Sequence, residues 1–189
     1  YLTENFVNLA EKLAEVTPGN LQKSFFCSTG SEATEGALLL AEIYMGNAEI
    51  LALRQGLHGR TKLGMSVTGL QMWRTDPNPV GGIHFAPTCD LACANAVEDI
   101  IKTATSGHPG AYIAESIQGN AGIVVPPDGY FQRVKEICEQ YGTLFISDEV
   151  QTGFARTGKM FAIENWGVTP DILACAKALG NGAPISAFI

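Results

Sequence analysis

The stretch DGYFQRVKEICEQYGTLFISDEVQTG (residues 128–153) holds a helix pattern, a stop signal and a buried-strand pattern in direct succession. Asp128 is expected to cap the helix at its N-terminus, and Gly142 is expected to end it. The run TLFIS (143–147) that follows is almost continuously apolar, as in strands that helices cover on both faces. Four apolar residues recur before it at the spacing of one helix face: Tyr130, Val134, Ile137 and Tyr141.

The same alternation extends in both directions along the chain. Two further helices are predicted, one from about Ser31 to Met45 and one over 90–105 with Asp90 as its N-cap. Seven segments have strand patterns: 23–28, 49–54, 82–87, 111–116, 143–147, 171–176 and 185–189. Strands alternating with helices predict the α/β class, here an open, mostly parallel seven-stranded sheet with helices on both faces. Ligands of such sheets bind beyond the carboxyl ends of the strands.

Length and composition exclude several classes of protein. The 189 residues correspond to one domain, at roughly 150 residues per domain. The net charge of −7 disfavours nucleic-acid binding, which needs a basic face. The sequence contains neither a membrane-spanning apolar run nor a signal peptide. Only 16% of residues are charged, against about 25% in typical domains, so part of the surface is expected to be covered.

The cysteines and the two ends of the chain suggest where the protein works and how complete it is. An odd number of cysteines in apolar segments predicts reduced core residues and a cytoplasmic protein, with an organellar matrix as the alternative. The chain opens at Tyr1 in an amphipathic stretch and stops at Ile189 in an unfinished strand. We therefore expect 1–189 to be an excerpt of a longer protein. The five cysteines are Cys27, Cys89, Cys93, Cys138 and Cys175.

The first of three polar strand ends is STGSEATEG (28–36). Thr29 and Glu32 have the spacing of a capping box, and the turn before the helix contains Gly30. The free backbone N–H groups of a helix N-terminus can bind a phosphate; the alternative is an ordinary capped helix. Neither a Walker A loop nor a dinucleotide fingerprint is present in the sequence.

The other two strand ends carry charged residues. Asp148 and Glu149 follow a buried strand, where an unpaired charge is very costly. Asp148 is therefore expected to face a protonated ring nitrogen of a cofactor or, alternatively, to form a salt bridge with Arg156 or another basic group. Lys177 ends the strand DILACA, and a desolvated lysine can form a Schiff base with an aldehyde cofactor. Alternatively, Lys177 pairs with Asp148 or reaches solvent. A phosphate cradle, a carboxylate and an amine together match the requirements of pyridoxal phosphate.

With these residues in place, the sequence resembles the class III (omega-type) aminotransferases, which are pyridoxal-phosphate enzymes of fold type I. The likeness covers nearly the whole chain. It implies that residues 1–189 form the large, cofactor-binding domain, with an antiparallel last strand, and that an N-terminal segment and a C-terminal small domain are missing. Five segments carry it: FFCSTGSEATEGALLLA (25–41), GLHGRT (56–61), ESIQGNAGIVVPPDGY (115–130), FISDEVQTGFARTGKMFAIE (145–164) and PDILACAKALGNGAPISAFI (170–189).

The resemblance assigns a role to individual residues. Lys177 would bind the cofactor covalently and shuttle the substrate proton, and Asp148 would keep the pyridine nitrogen protonated. Gln151 would lie near the phenolic oxygen of the ring, and Gly30 and Ser31 would bind the phosphate. In relatives a threonine of the neighbouring subunit completes the phosphate site, so a homodimer with a shared active site is implied.

Other positions bear on the substrate and on the cofactor ring. Arg60 would bind a substrate carboxylate or, alternatively, form a surface or interface ion pair. Leu57 stands where relatives place an aromatic residue against the ring, and His58 could contribute to cofactor binding instead. Asn120 replaces a glutamate of members that act on ornithine, acetylornithine or 4-aminobutyrate. This difference favours an enzyme of the alanine–glyoxylate type.

The remaining candidates are minor. No metal site is predicted, because Cys89 and Cys93, with His84 nearby, lack a second ligand pair at zinc spacing. Trp73 and Arg74 are expected in a loop at the mouth of the site or at the dimer interface.

The predicted function is transfer of an amino group from an amino acid or omega-amine to a 2-oxo acid, with pyruvate or glyoxylate favoured. A decarboxylase, racemase or aminomutase on the same scaffold is the first alternative. A nucleotide-hydrolysing domain is the second, because Asp148 and Glu149 resemble the magnesium-binding strand end of an ATPase. An inactive scaffold is the third.

Overall fold

The structure, a computed structural model, describes residues 2–88 and 90–189. In order along the chain, its helices are α1 (Glu4–Val16), α2 (Gly30–Met45), α3 (Lys62–Val67), α4 (Leu91–Ala104) and α5 (Tyr130–Tyr141). Its strands are β1 (Phe25–Cys27), β2 (Ile50–Leu53), β3 (Ile83–Ala86), β4 (Ala111–Glu115), β5 (Leu144–Asp148), β6 (Ile172–Cys175) and β7 (Ser186–Phe188). Short 3-10 turns form at Gln71–Trp73, Ala162–Trp166 and Lys177–Leu179.

The seven strands form one sheet in the order β1–β7–β6–β5–β4–β2–β3. The pairs β2–β3, β2–β4, β4–β5 and β5–β6 are parallel, whereas β7 runs antiparallel to both β6 and β1. The predicted mostly parallel sheet and its antiparallel last strand are therefore confirmed. Because β1 to β6 all run in one direction, the carboxyl ends of these six strands meet at one edge of the sheet.

Helices cover both faces of the sheet, which explains the continuously apolar strands. In β2, Leu51 and Leu53 pack into a core with α1, α4 and α5. Ile50 and Ala52, which point to the other face, pack into a second core with α2 and α3. Successive strand side chains point to opposite faces, so both sets must be apolar.

Most predicted helix ends are confirmed, and one is wrong. Asp90 caps α4 through a hydrogen bond from the backbone N–H of Cys93, and Gly142 ends α5 in a left-handed conformation. Asp128 does not cap α5. Gly129 occupies that position with a φ of 85° and no side-chain hydrogen bond. Glycine adopts this conformation at no steric cost, and it moves the start of the helix one residue past the aspartate.

The expectation of five reduced cysteines holds for three of them. Cys27, Cys138 and Cys175 are free, and burial raises the pKa of Cys175 to about 12. Cys93 is disulfide-bonded, which contradicts the expectation, and Cys89 lies outside the described residues. Cys93 lies in the first turn of α4, and apolar surroundings along the sequence carry no information about such local pairing.

None of the helices formed by the described residues combines the length and the apolarity that crossing a bilayer requires.

Candidate active site

A cavity of about 280 Å³ lies at the carboxyl edge of the sheet, where the strand-end rule places ligands. Its walls come from the segments that follow β1, β2, β4, β5 and β6, so residues far apart in sequence meet there. The residues that line the cavity include Gly30, Ser31, Thr34, Leu57, His58, Gly59, Glu115, Asp148, Val150, Gln151 and Lys177.

The N-terminus of α2 forms one wall of this cavity. Thr29 and Glu32 make the predicted capping box: Thr29 Oγ1 accepts from the Glu32 N–H at 3.2 Å, and Glu32 Oε2 accepts from the Thr29 N–H at 2.7 Å. The Thr29 hydroxyl also lies 3.0 Å from Glu32 Oε2, and this side-chain hydrogen bond is the largest cause that lowers the pKa of Glu32. The N–H groups of Gly30 and Ser31 have no acceptor within the helix, which leaves them available to an anion.

Gly30 packs too closely against Val150 to carry a side chain. A Cβ at this position would lie 2.6 Å from Cγ1 of Val150, closer than real carbon contacts allow. Because Gly30 lines the cavity and has no side chain, it presents only backbone there, which suits a phosphate group.

The loop that follows β2 is attached to the same helix end. The Arg60 N–H donates to Ser31 Oγ at 3.0 Å, and Thr34 Oγ1 donates to the carbonyl oxygen of His58 at 2.6 Å. Gly59, with a φ of 123°, approaches so closely that a Cβ would lie 2.7 Å from Ser31 Oγ. The Ser31 hydroxyl keeps its own hydrogen for a ligand, because in this contact its oxygen only accepts.

Asp148, the last residue of β5, forms a buried pair with His58. Its Oδ2 lies 2.8 Å from His58 Nδ1, and its Oδ1 accepts from the Val150 N–H at 3.1 Å. The two side chains are 4% and 0% exposed. The expected partner Arg156 instead lines a neighbouring cavity of about 700 Å³. His58 thus lies in the cavity wall beside Asp148, and its contribution to cofactor binding stays a prediction.

The surroundings of the His58 ring indicate its tautomer. Nε2 is buried and has no hydrogen-bond partner among the described residues. A charged N–H left unpaired there would carry a large desolvation cost, so we infer a neutral ring whose Nδ1–H donates to Asp148. In this arrangement Asp148 is the anion of the pair and can face a cationic group in the cavity it lines.

Lys177 lies two residues beyond the end of β6 and lines the same cavity as Asp148. Its backbone φ is 42°, a left-handed conformation that costs a non-glycine residue on the order of 1–3 kcal/mol and recurs at functional sites. Lys177 is exposed in this chain, which matches the alternative that it reaches solvent, and its role as a Schiff-base lysine stays a prediction. It reaches solvent because it begins a 3-10 turn beyond the strand rather than ending the buried strand itself.

The remaining predicted residues lie at different distances from the cavity. Leu57 is half-buried and lines it; Gln151 is exposed and lines both this cavity and its neighbour. Arg60 is exposed, its guanidinium lies 5.1 Å above the centre of the Trp73 ring, and its side chain is not part of the cavity wall. Arg74 lies 4.9 Å above the ring of Phe85. The substrate role of Arg60 therefore stays a prediction.

Sequence reasoning missed Glu115, a buried residue at the end of β4 that also lines the cavity. Burial is the largest cause that raises its pKa, and the negative charge of Asp148 adds to this shift. A signal was present: AYIAE is an apolar run ending in a carboxylate, the same pattern that identified Asp148.

Within residues 2–88 and 90–189, no three His, Cys, Asp or Glu side chains are grouped as they would be around a metal ion. Cys93, one of the minor metal candidates, is engaged in a disulfide and offers no free thiolate.

Comparison with known proteins identifies the family. The model of the family "Aminotransferase class-III" matches residues 1–189. Among curated proteins, the chain is 43% identical over 191 residues to acetylornithine aminotransferase of Methanosarcina mazei, covering 100% of this chain and 46% of the relative. It is 38% identical over 200 residues to alanine–glyoxylate aminotransferase 2 homolog 2, mitochondrial, of Arabidopsis thaliana, covering 100% of this chain and 42% of that protein.

A solved structure agrees with these relatives. The crystal structure of a transaminase from the marine bacterium Virgibacillus superposes with a TM-score of 0.95 at 34% identity, covering 100% of this chain and 45% of that chain. This chain thus spans a little under half the length of the relatives it matches. The predicted fold class and family resemblance are confirmed.

Class III aminotransferases depend on pyridoxal phosphate, and the cavity fits this cofactor in two respects. The open backbone at Gly30 suits a phosphate, and the buried Asp148 carboxylate lacks a full cationic partner among the described residues. The whole-length sequence match, the sheet topology and the cavity agree: the chain belongs to the class III aminotransferase family.

Proposed function

We propose that the protein of which this chain is a part is a pyridoxal-phosphate-dependent aminotransferase. It moves an amino group from an amino acid or omega-amine to a 2-oxo acid in two half-reactions. The observation that carries this proposal is that Asp148, Lys177 and the open N-terminus of α2 line one cavity, although β1, β5 and β6 contribute them from distant parts of the chain. The chain itself is proposed to be the large, cofactor-binding domain.

The cofactor would supply an aldehyde for covalent attachment and a protonated ring that withdraws electrons from the substrate's Cα. Gly30 and Ser31 would hold its phosphate with backbone N–H groups and a hydroxyl. Asp148, oriented by His58, would hold the proton on the ring nitrogen. Lys177 Nζ would anchor the aldehyde, and once freed it would take the proton from the substrate's Cα and deliver it to the cofactor carbon that carried the aldehyde. Gln151 would lie near the phenolic oxygen.

For the substrates, we propose an amino acceptor of the pyruvate or glyoxylate type. Asn120 directly follows Gly119, which borders Gln151, and it is exposed. Its side chain is uncharged, so it offers no carboxylate to a basic partner. The Arabidopsis relative carries an alanine–glyoxylate name, whereas the Methanosarcina relative is named for acetylornithine. Arg60 is the proposed ligand of the substrate carboxylate, and this role requires its side chain to leave the ring of Trp73.

Single turnover of the full-length enzyme with an amino donor alone tests the reaction class. The expected result is one equivalent of oxo acid per site and cofactor left in the pyridoxamine form. Release of carbon dioxide, or return of the donor with inverted configuration, would identify a decarboxylase or a racemase instead. Thermal stabilisation by a nucleotide, without any by pyridoxal phosphate, would support the nucleotide-hydrolysing alternative. A panel of acceptors then ranks pyruvate and glyoxylate against 2-oxoglutarate.

We also propose that the full-length protein is a homodimer with a shared active site. Four large apolar side chains are exposed on α2, the helix whose N-terminus borders the cavity. A second copy packed on this face would bury them and would explain the low charge content of 16%. The four are Leu39, Leu40, Ile43 and Tyr44, at 52%, 45%, 71% and 77% exposure.

Replacing Ile43 with lysine tests the dimer in the full-length protein. Burying an unpaired charge in the interface should shift the equilibrium towards monomer, with a dissociation constant raised at least about tenfold. Sedimentation equilibrium measures it. Lys102→Glu, on the exposed side of α4, is the control for a changed charge. A dimer equally stable in the Ile43 variant would contradict the proposed interface.

The proposed location is the cytoplasm or an organellar matrix. The support for this proposal is that the Arabidopsis relative is named as mitochondrial. Fractionation of cells that express the tagged full-length protein tests this proposal.

Replacing Leu57 with phenylalanine should tighten cofactor binding about two- to tenfold. The reason is that an aromatic ring stacked on another contributes about 0.5–1.5 kcal/mol beyond the area it buries. Titration of the cofactor-free enzyme with pyridoxal phosphate measures the Kd. Leu57→Ala serves as the opposite control and should weaken binding. Equal Kd values for all three proteins would show that this side chain does not cover the ring.

A further inference from the structure

Glu115 connects two segments on different sides of the active-site cavity. Its Oε1 accepts a hydrogen bond from the Leu57 N–H at 2.8 Å, and its Oε2 accepts one from the Gly119 N–H at 3.1 Å. The residue is 4% exposed and belongs to the cavity wall. The carboxylate therefore joins the loop after β2 to the loop after β4.

Each of the two loops adjoins a residue that is proposed to contact the cofactor. On one side, Leu57 itself lines the cavity. On the other side, Gly119 packs against the side chain of Gln151, so that a Cβ added to Gly119 would lie 2.6 Å from Gln151 Nε2. Glu115 thereby holds Leu57, the residue assigned to the face of the ring. It also holds Gly119, which supports Gln151, the residue assigned to the phenolic oxygen.

A carboxylate suits this position better than any other side chain of similar size. It offers an acceptor to each of the two N–H groups, whereas the amide of glutamine has only one oxygen and would set its NH₂ group against the second donor. The charge is costly to bury, as the raised pKa of Glu115 indicates, and hydrogen bonds from backbone N–H groups offset part of that cost. A group needed only for packing would not require it.

Resting on the proposed function above, we propose that Glu115 is a positioning residue of the aminotransferase. It fixes Leu57 and the Gly119–Gln151 contact on two sides of the cofactor ring and thereby prepares the cavity before the cofactor binds.

The test compares Glu115→Gln with the wild-type full-length enzyme. Hydrogen–deuterium exchange of the cofactor-free proteins should become faster in peptides that contain 56–60 and 117–124. The Kd for pyridoxal phosphate should rise at least about tenfold, the order expected from losing a charge-assisted hydrogen bond. The absorption band of the bound cofactor should shift, and kcat should fall more than KM changes.

Glu49→Gln is the matched control. Glu49 also accepts the backbone N–H of another loop, that of Ser106, but it precedes β2 at the opposite edge of the sheet. This variant should speed exchange around Ser106 and leave the cofactor Kd and absorption unchanged. If Glu115→Gln does not fold, Glu115→Asp keeps the charge but is too short to reach both N–H groups, and it should give the same changes.

The outcomes separate this inference from the proposed function. Wild-type protein that fails to bind pyridoxal phosphate would overturn the proposed function. Wild-type protein that binds it, with a Glu115 variant whose exchange, Kd and absorption are unchanged, would overturn only the positioning role.

Discussion

Replacing Lys177 with alanine in the full-length enzyme should abolish covalent attachment of pyridoxal phosphate. Borohydride treatment followed by mass spectrometry should find the reduced cofactor on Lys177 of the wild type and on no lysine of the variant. Transamination should fall by at least about 10³-fold, because both the covalent anchor and a proton-transfer group, itself contributing about 10²–10⁴-fold, are removed. Non-covalent binding should persist, since the N-terminus of α2 and Asp148 are unchanged.

Lys177→Arg separates the chemistry of the amine from its charge. The guanidinium keeps a positive charge in the cavity but does not act as a nucleophile at ordinary pH. The two variants should therefore be equally inactive. Lys102→Ala, which removes an exposed lysine on α4, should behave as wild type. Cofactor still attached covalently to either Lys177 variant would contradict the assignment.

The seven strands could be predicted because their physical signal is local, whereas their order in the sheet could not. A central strand packs against helices on both faces, so it must be apolar along its length, and a run such as Ile50–Leu53 shows this directly. The candidate site could be located for a related reason. A polar residue directly after a buried run, as at Asp148 and Lys177, needs a partner or a function at the edge of the sheet.

The contacts within the site could not be predicted because they join distant parts of the chain. His58 and Asp148 are 90 residues apart, and no local pattern indicates that their side chains meet. The same is true of the bond between Leu57 and Glu115, which spans 58 residues. The left-handed backbone conformation of Lys177 could not be predicted from the sequence either, because lysine has no preference for that conformation.

Replacing Asp148 with asparagine should lower kcat about 10²-fold or more while cofactor binding persists. Asparagine can still accept the Val150 N–H through its single oxygen, and its NH₂ can donate to Nδ1 of the other neutral tautomer of His58, so the local fold should remain. It cannot stabilise a proton on the ring nitrogen, so the cofactor would withdraw electrons less well as negative charge develops at Cα. Losses of this order follow when a preorganised electrostatic contact is removed.

The matched control is Asp171→Asn. Asp171 precedes β6 at the opposite edge of the sheet, where it accepts the Phe145 N–H and pairs with Lys135 at 2.7 Å. Its replacement should lower the melting temperature and leave kcat unchanged. A rescue experiment tests whether Asp148 acts on the ring nitrogen. Cofactor methylated on this nitrogen carries a permanent positive charge and should restore much of the kcat of Asp148→Asn. Because the charge no longer depends on a carboxylate, failure of this rescue would mean that Asp148 acts on something other than the ring nitrogen.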